Sequence, residues 1–522
     1  MAAVGRLLKS GLTALEQGQL QQAGQICQQI LQQAPDLSQG HFLVGLVALE
    51  GQDRKTAFQA FRSVIKLDPD HGAAWGQLSR LYLTDGLVNR ADEALKKAVA
   101  TAPEDPMVQD LIGTVCSLMG EHLEAKAWFE KAAQGQPRNI NFKLNLANNH
   151  VYHGNTAQAV DMFEEVLARQ PNAPQAHWSL AGARKAKDDK HITQCAQQLV
   201  SQKLHPRAQA FYYYAIGKEC EDLERWDDAF EAFARGAHAR RATVEYDEAA
   251  EQEMFKFLET QFDAAWLEQA GEGNPEPSPI FILGQPRTGT TLVERIVTSH
   301  SQVTSAGELQ QFSLALRRLS AFEDPKRFSA GMFDAASQLD PQQVGSLYLD
   351  TSLRMRGDTP RFVDKLPQNY LCIPLILAAL PNAKIVHLTR HPMDACFSSF
   401  KQLFADAYLH SYDQREMARH HARYRTLMQV WHTRFPGRVF DISYEDTTVD
   451  LERNTRALLD FLELPFEQAC VDFHTQSGAV STASAAQVRE PAHTRSVGRW
   501  RRYETQLAPM REELIRAGID VS

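Results

Sequence analysis

With 522 residues, 43% of them hydrophobic and 23% charged, the chain has the makings of several folded domains and is not a disordered polymer. A formal net charge of −9 argues against general nucleic-acid binding, which carries a basic footprint. Seven scattered cysteines with no CxxC pair exclude a disulfide framework and read as small buried residues in a reducing compartment. No stretch reaches the roughly 18 apolar residues of a membrane span, and the N-terminus lacks a signal-peptide core, so the expected location is the cytoplasm.

Taken in chain order, the first half repeats. Pro35, Pro69, Pro103, Pro137 and Pro171 are each 34 residues apart. Small residues recur in the same register (Gly11, Gly45, Ser79, Gly113, Ala147), and again twelve positions on (Ala23, Ala57, Ala91, Ala125, Ala159). Four positions beyond those lie Cys27, Phe61, Leu95, Phe129 and Phe163. Small residues let paired helices approach, larger ones fill the seam, and proline stops the second helix. The 34-residue period resembles that of tetratricopeptide repeats. About seven repeats are expected over residues 4–241, the sixth degenerate, as a superhelix of antiparallel helix pairs. Such an array presents a groove to a peptide or protein partner.

Residues 242–278 read as capping helices and a linker ending in GEGNPEPSP. From Pro279 to the end of the chain at 522 the period changes. Short β-branched runs (PIFILG, RFVDK, AKIVHLTR, RVFDIS) alternate with amphipathic stretches at Asn369–Leu380, Met393–Phe404 and Leu451–Leu462. This pattern predicts an α/β domain, a mostly parallel sheet with helices on both faces. Ligands on such sheets sit at the carboxyl ends of the strands. There lie the loop Gly284–Thr291, Asp364–Lys365, Arg390 and Tyr444–Glu445. The first loop joins a strand to a helix and is built to bind an anion. Gly284 and Gly289 have the separation of a nucleotide P-loop, but Thr290 stands in the place of its lysine and Arg287 carries the charge.

With these residues assembled, the second half resembles sulfotransferases that use 3′-phosphoadenosine-5′-phosphosulfate (PAPS), above all the tyrosylprotein sulfotransferases. Their R-S-G-T-T-L pattern is matched by Arg287-Thr288-Gly289-Thr290-Thr291-Leu292. Arg390, with Ser398 eight residues on, matches the family's 3′-phosphate grip. Gly307-Glu308, Lys365 in VDKLPQNY, and Ser484, Gln487, Val488 and Pro491 match three further signatures in the same order. The whole chain resembles bacterial tetratricopeptide repeat-containing sulfotransferases. The resemblance implies a P-loop-like fold and PAPS as donor. It implies Glu308 as general base and Arg287 and Lys365 as cations on the leaving group. Ser484 would bond the phosphosulfate or orient Lys365. The loop residues Arg287 to Leu292, with Arg390, Ser398 and Tyr444, would hold the nucleotide.

His387 and His391 flank this site by sequence. Arg495, Arg499, Arg501 and Arg502 cluster around Trp500; one or two of them reaching the 3′-phosphate and a solvated basic face are equal readings. No His, Asp or Glu cluster with metal-ligand spacing is evident, so no metal is expected. The acceptor stays open among protein tyrosine, sugar, lipid and small metabolite, because these 522 residues show neither the membrane-spanning segment nor the disulfide framework expected of the tyrosylprotein branch. The alternative is a repeat scaffold whose α/β domain binds nucleotide without catalysis. An ATP-using small-molecule kinase is disfavoured by Thr290 in the lysine position.

Overall fold

A computed structural model describes residues 2–85, 87–101, 103–201, 203–324, 326–404, 407–476 and 491–522. The chain divides into two compact units, Met1–Leu146 with Ala321–Arg327, and Ala147–Ser320 with Phe328–Ser522.

The first unit is built from antiparallel helix pairs: Ala2–Glu16 with Leu20–Gln33, Ser38–Glu50 with Arg54–Leu67, Gly72–Thr84 with Val88–Ala100, and Pro106–Leu118 with His122–Gly135. The repeat register explains the packing. Ala23, Ala57, Ala91 and Ala125 are fully buried at the helix crossings. A Cβ at Gly45 would lie 2.5 Å from the Phe61 ring, and one at Gly113 would lie 2.8 Å from Phe129. At the equivalent place in the third repeat, the Ser79 hydroxyl donates to the Ala91 carbonyl at 2.8 Å. Gly45→Val is therefore expected to destabilise this unit by about 1–3 kcal/mol through overpacking. Thermal melting of the full chain would read this as a lowered first transition.

A second device also keeps the 34-residue period. Six residues after four of the five prolines, a side chain reaches back to the proline carbonyl. His41 does so at 2.7 Å, Trp75 at 2.7 Å and Gln109 at 2.9 Å. In the second unit His177 repeats the contact to Pro171 at 2.8 Å. Each bond satisfies a carbonyl just beyond a helix end, where no intrahelical donor remains.

The second unit holds the later repeat helices, among them Pro174–Ala183 and Lys190–Ser201, which both pack on Pro206–Asp222, and the pair Pro206–Asp222 with Trp226–Arg241. Two further helices, Glu248–Gln261 and Ala264–Gln269, precede the sheet. Among the described residues five strands follow: β1 (Pro279–Gly284), β2 (Val303–Ser305), β3 (Arg361–Asp364), β4 (Lys384–Thr389) and β5 (Val439–Ser443). Their order is β2-β3-β1-β4-β5 and every pairing is parallel. All six residues of β1 are buried, as a central parallel strand covered on both faces requires. The sequence pattern finds four of these strands. It misses β2, whose three residues are too few for a period.

The chain leaves β1 toward β3 on one side and returns through β4 on the other, which puts a topological switch point at the carboxyl end of β1. The helix expected over Met393–Phe404 runs from Pro392 to Phe400. The stretch Asn369–Leu380 is a 3₁₀ turn, Pro367–Cys372, followed by a helix Ile373–Ala379, because Pro374 fits only a helix start. The last repeat pair shares one apolar core with this domain: Tyr214 and Phe233 pack with Met393, Phe397, Phe400 and Tyr503. All seven cysteines are buried and unbridged. Among the described residues no helix is long and apolar enough to cross a membrane.

Candidate active site

The loop after β1 owes its shape to two glycines. Gly284 has φ +143°, and a Cβ there would strike the Leu388 carbonyl on β4 at 2.8 Å. Gly289 has φ +108°, and a Cβ there would meet the Tyr444 ring at 2.5 Å. Between them Arg287 takes the left-handed region at φ 67°, a conformation costly for a side chain with a Cβ. The surroundings hold it there. The Arg390 guanidinium donates to the Arg287 carbonyl at 2.7 Å. The Thr288 hydroxyl closes the turn on the Gln285 carbonyl at 2.7 Å, and His421 donates to the Gln285 side-chain oxygen at 2.7 Å. The helix Thr290–Thr298 starts at this turn, with Gly289 as its N-cap. Its first backbone N–H groups have no intrahelical acceptors, so its positive end favours an anion.

On the β4 side of the loop a cleft collects positive charge. Arg287, Arg390, Lys401 and Arg499 line it together with Gly289, Thr291, Leu292, Ser398, Tyr444 and Thr448. Arg390 follows β4 directly. It bonds the Ser496 carbonyl at 2.6 Å, lies 3.4 Å from the Ser398 hydroxyl, and stacks over the Tyr444 ring at 4.7 Å. Burial, and then the charge of Arg390, push the Arg287 guanidinium down to about 10. Burial pushes the Lys401 ammonium down to about 8 despite its contact with Glu221. Glu221 is the balancing anion. It meets Lys401 at 2.8 Å and Arg499 at 3.3 Å, and accepts from the Tyr503 hydroxyl at 2.9 Å. Burial alone would raise its carboxyl, but Lys401 and Arg499 outweigh that and hold it below its ordinary value. Among the described residues, these four cations against Glu221 in a desolvated cleft make a site for a polyanion.

On the β3 side lies an ion pair. Lys365, immediately after β3, is 1% exposed and bonds Glu308, which is 43% exposed. A second carboxylate, Glu294 on the helix Thr290–Thr298, is 3.9 Å from the same ammonium. Burial raises the Glu294 carboxyl, while Lys365 and the Ser305 hydroxyl, at 2.6 Å, oppose the rise. Ser305 also accepts from the Gly307 amide at 3.1 Å, and the Lys365 amide donates to the Gly307 carbonyl at 2.9 Å. These bonds fasten the Gly307-Glu308 turn to the end of β3. The cation faces inward and the carboxylate faces solvent, the arrangement a base needs to meet an incoming hydroxyl. Partial burial, with 43% of the residue still exposed, and then the charge of Glu308 raise the phenol of Tyr152, which belongs to the repeat helix Ile140–Tyr152.

Most of the residues singled out from the sequence converge here. Arg287, Gly289, Thr291, Leu292, Arg390, Ser398 and Tyr444 share the cleft. Glu308 and Lys365 form the neighbouring pair. Thr288 and Thr290 are buried within the loop. Ser484, with Gln487 and Val488, lies outside the described residues. Of the four C-terminal arginines, Arg499 lines the cleft, whereas Arg501 stacks on Trp500 and Arg502 on Trp226.

The two histidines serve the framework. His387 is buried between Asp441, at 2.7 Å, and the Tyr424 hydroxyl. His391 caps the helix Pro392–Phe400 and stacks on Trp500. Sequence reasoning missed Lys401, Glu294 and Glu221. Glu221 comes from the repeat helix Pro206–Asp222, far from the loop in sequence, and no local motif marks it.

Residues 279–468 match the sulfotransferase family, and residues 7–36, 48–114 and 144–187 match tetratricopeptide repeat families. An uncharacterized protein of Aquifex aeolicus (strain VF5) is 29% identical over 447 residues, 84% of this chain and 58% of that protein. A putative protein-tyrosine sulfotransferase of Caenorhabditis briggsae is 24% identical over 42% of this chain and 80% of its own length. A protein-tyrosine sulfotransferase of Drosophila melanogaster is 24% identical over 44% of this chain and 48% of its own. The chain thus spans little more than half the length of the Aquifex relative and about half of the Drosophila one. A thermophilic tetratricopeptide protein of Thermus thermophilus matches 34% of this chain and 98% of its own length, at 18% identity and a TM-score of 0.31. The chain pairs tetratricopeptide repeats with a sulfotransferase-family domain, and protein-tyrosine sulfotransferases are among that domain's relatives.

Proposed function

We propose that this protein is a sulfotransferase that moves a sulfuryl group from PAPS to an acceptor hydroxyl. The repeat array recruits or orients the acceptor or a partner protein. The observation that carries the reading is the convergence of Arg287, Arg390 and Ser398 beside the helix N-terminus at β1, next to the Lys365–Glu308 pair. In this reading the loop amides and the Thr290 and Thr291 hydroxyls hold the 5′-phosphosulfate, and Arg390 with Ser398 holds the 3′-phosphate. The acceptor hydroxyl loses its proton to Glu308 as its oxygen bonds to sulfur. The bond from sulfur to the bridging oxygen breaks, and Lys365 and Arg287 stabilise the charge growing there. Positioning and electrostatics supply most of the rate, as in phosphoryl transfer. Donor binding draws Lys365 toward the bridging oxygen and so releases Glu308 to the acceptor.

Tyr152 lies within electrostatic reach of Glu308, which favours a role for the repeat helices at the acceptor side. Two relatives are named for protein tyrosine, so a tyrosyl peptide is the first acceptor to assay. Calorimetry with 3′-phosphoadenosine-5′-phosphate (PAP), the donor's product, tests the reading: binding is expected, and its absence would remove the donor site. Labelled sulfate should then pass from PAPS to the peptide.

The cleft also predicts a pH dependence. Lys401 is charged below about 8 and neutral above it, because burial disfavours the ammonium. An anion binds the charged form better, so PAP affinity is expected to fall as pH rises from about 7 to about 9. Lys401→Met should bind more weakly at neutral pH and lose this slope. An unchanged slope in the variant would assign the titration to another group.

A further inference from the structure

A second cluster lies in the sixth repeat, on residues the reaction does not use. His177 is on the helix Pro174–Ala183. His191 and Cys195, four residues apart and so on one face, are on the helix Lys190–Ser201. All three are buried, and their donor atoms converge. His177 Nδ1 and His191 Nε2 are 2.8 Å apart, and Cys195 Sγ is 3.5 Å and 3.8 Å from them.

The outer contacts fix both rings. The Pro171 carbonyl can only accept, so His177 Nε2 carries a proton toward it at 2.8 Å. Trp75 and Gln109, which fill the same register in earlier repeats, are obligate donors to the matching carbonyls. His191 Nδ1 likewise donates to the Glu219 carboxylate at 2.8 Å. With both outer nitrogens bonded outward, the two inner nitrogens face each other across 2.8 Å, a contact that needs a shared cation, either a proton balanced by Glu219 or a metal ion. The one thiol proton of Cys195 can serve only one of these nitrogens. A metal ion at the centre uses all three atoms.

We propose that His177, His191 and Cys195 bind a zinc ion that staples the two helices of the sixth repeat. The donor set, two imidazoles and a thiolate, is that of a borderline-soft dication. Ordinary zinc bond lengths put tetrahedral nitrogens about 3.3 Å apart and nitrogen and sulfur about 3.6 Å apart. The sulfur is already so placed, and the nitrogens need to part by about half an ångström. The Pro171 carbonyl and the Glu219 carboxylate are the outer-shell acceptors that orient metal-bound histidines. Tyr212, fully buried with a hydroxyl that has no hydrogen-bond partner, packs its ring 5.3 Å from that of His177. On binding, the thiol proton leaves to solvent and the thiolate bonds the metal. The staple suits its place: Pro174–Ala183, at ten residues, is the shortest described helix of the array, in the repeat whose sequence is degenerate.

The test uses the untagged full chain. About one zinc per chain is expected by elemental analysis after purification or after equimolar loading under reducing conditions. Cobalt substitution should give a thiolate-to-cobalt charge-transfer band. His177→Gln keeps the donor to Pro171, as Gln109 does to Pro103, and removes the inner nitrogen; it should fold and lose the metal. Cys195→Ser should lose the charge-transfer band. Zinc should raise the melting temperature of the natural chain but not of His177→Gln. The proposal is overturned if the natural chain takes up no zinc or cobalt, or if both variants hold metal as well as it does. Donor binding and transfer assays stand apart from this readout, so failure here leaves the sulfotransferase reading untouched.

Discussion

Glu308→Gln is expected to lower sulfuryl transfer by about 100- to 10,000-fold, the usual contribution of a positioned general base. PAP binding should stay within a few-fold of the natural chain, because Glu308 is outside the cation-lined cleft. The substitution keeps the size of the side chain, and its amide oxygen still accepts from Lys365. Lys365 also keeps Glu294 at 3.9 Å, so the buried ammonium is not left without an anion. The loss should therefore fall on kcat, with the donor constant unchanged. A variant that turns over at the natural rate would refute the base assignment. Parallel loss of donor affinity would show instead that Glu308 organises the loop.

Arg390→Ala is expected to weaken PAP binding by roughly ten- to 150-fold, the equivalent of one charge-assisted hydrogen bond at about 1.5–3 kcal/mol. Binding of adenosine 5′-phosphosulfate, which lacks the 3′-phosphate, should fall much less. Arg390 also ties the carbonyls of Arg287 and Ser496. Some loss for both nucleotides therefore reports the loop, and the difference between them reports the 3′-phosphate. Ser398→Ala removes one hydroxyl and should give the same preference at smaller size. Equal losses for the two nucleotides, measured by calorimetry, would take the 3′-phosphate away from Arg390.

Local regularity is what the chain discloses by itself. A 34-residue period in prolines and small residues suffices for the helix pairs, because each repeat packs mainly on its neighbours and its rules are local. Four of the five described strands are legible from their β-branched runs, and so is the loop between Gly284 and Gly289. The loop, Arg390 and Lys365 are each read correctly as lying after a strand, since a parallel sheet presents all its carboxyl ends on one side.

What needs the tertiary structure is everything joined across long separations. Glu221 neutralises Lys401 and Arg499 from a repeat helix. Arg499, and not Arg501 or Arg502, lines the cleft, because Asp394 holds the backbone amides of Gly498 and Trp500 and sets the direction of that turn. His177 meets His191 and Cys195 only through helix packing, so the set of three is not visible along the chain. Periods and motifs follow from bonds between near neighbours, and the amino-acid sequence alone determines them here. Which charges share a desolvated cleft depends on how helices and strands pack, and only the folded chain decides that.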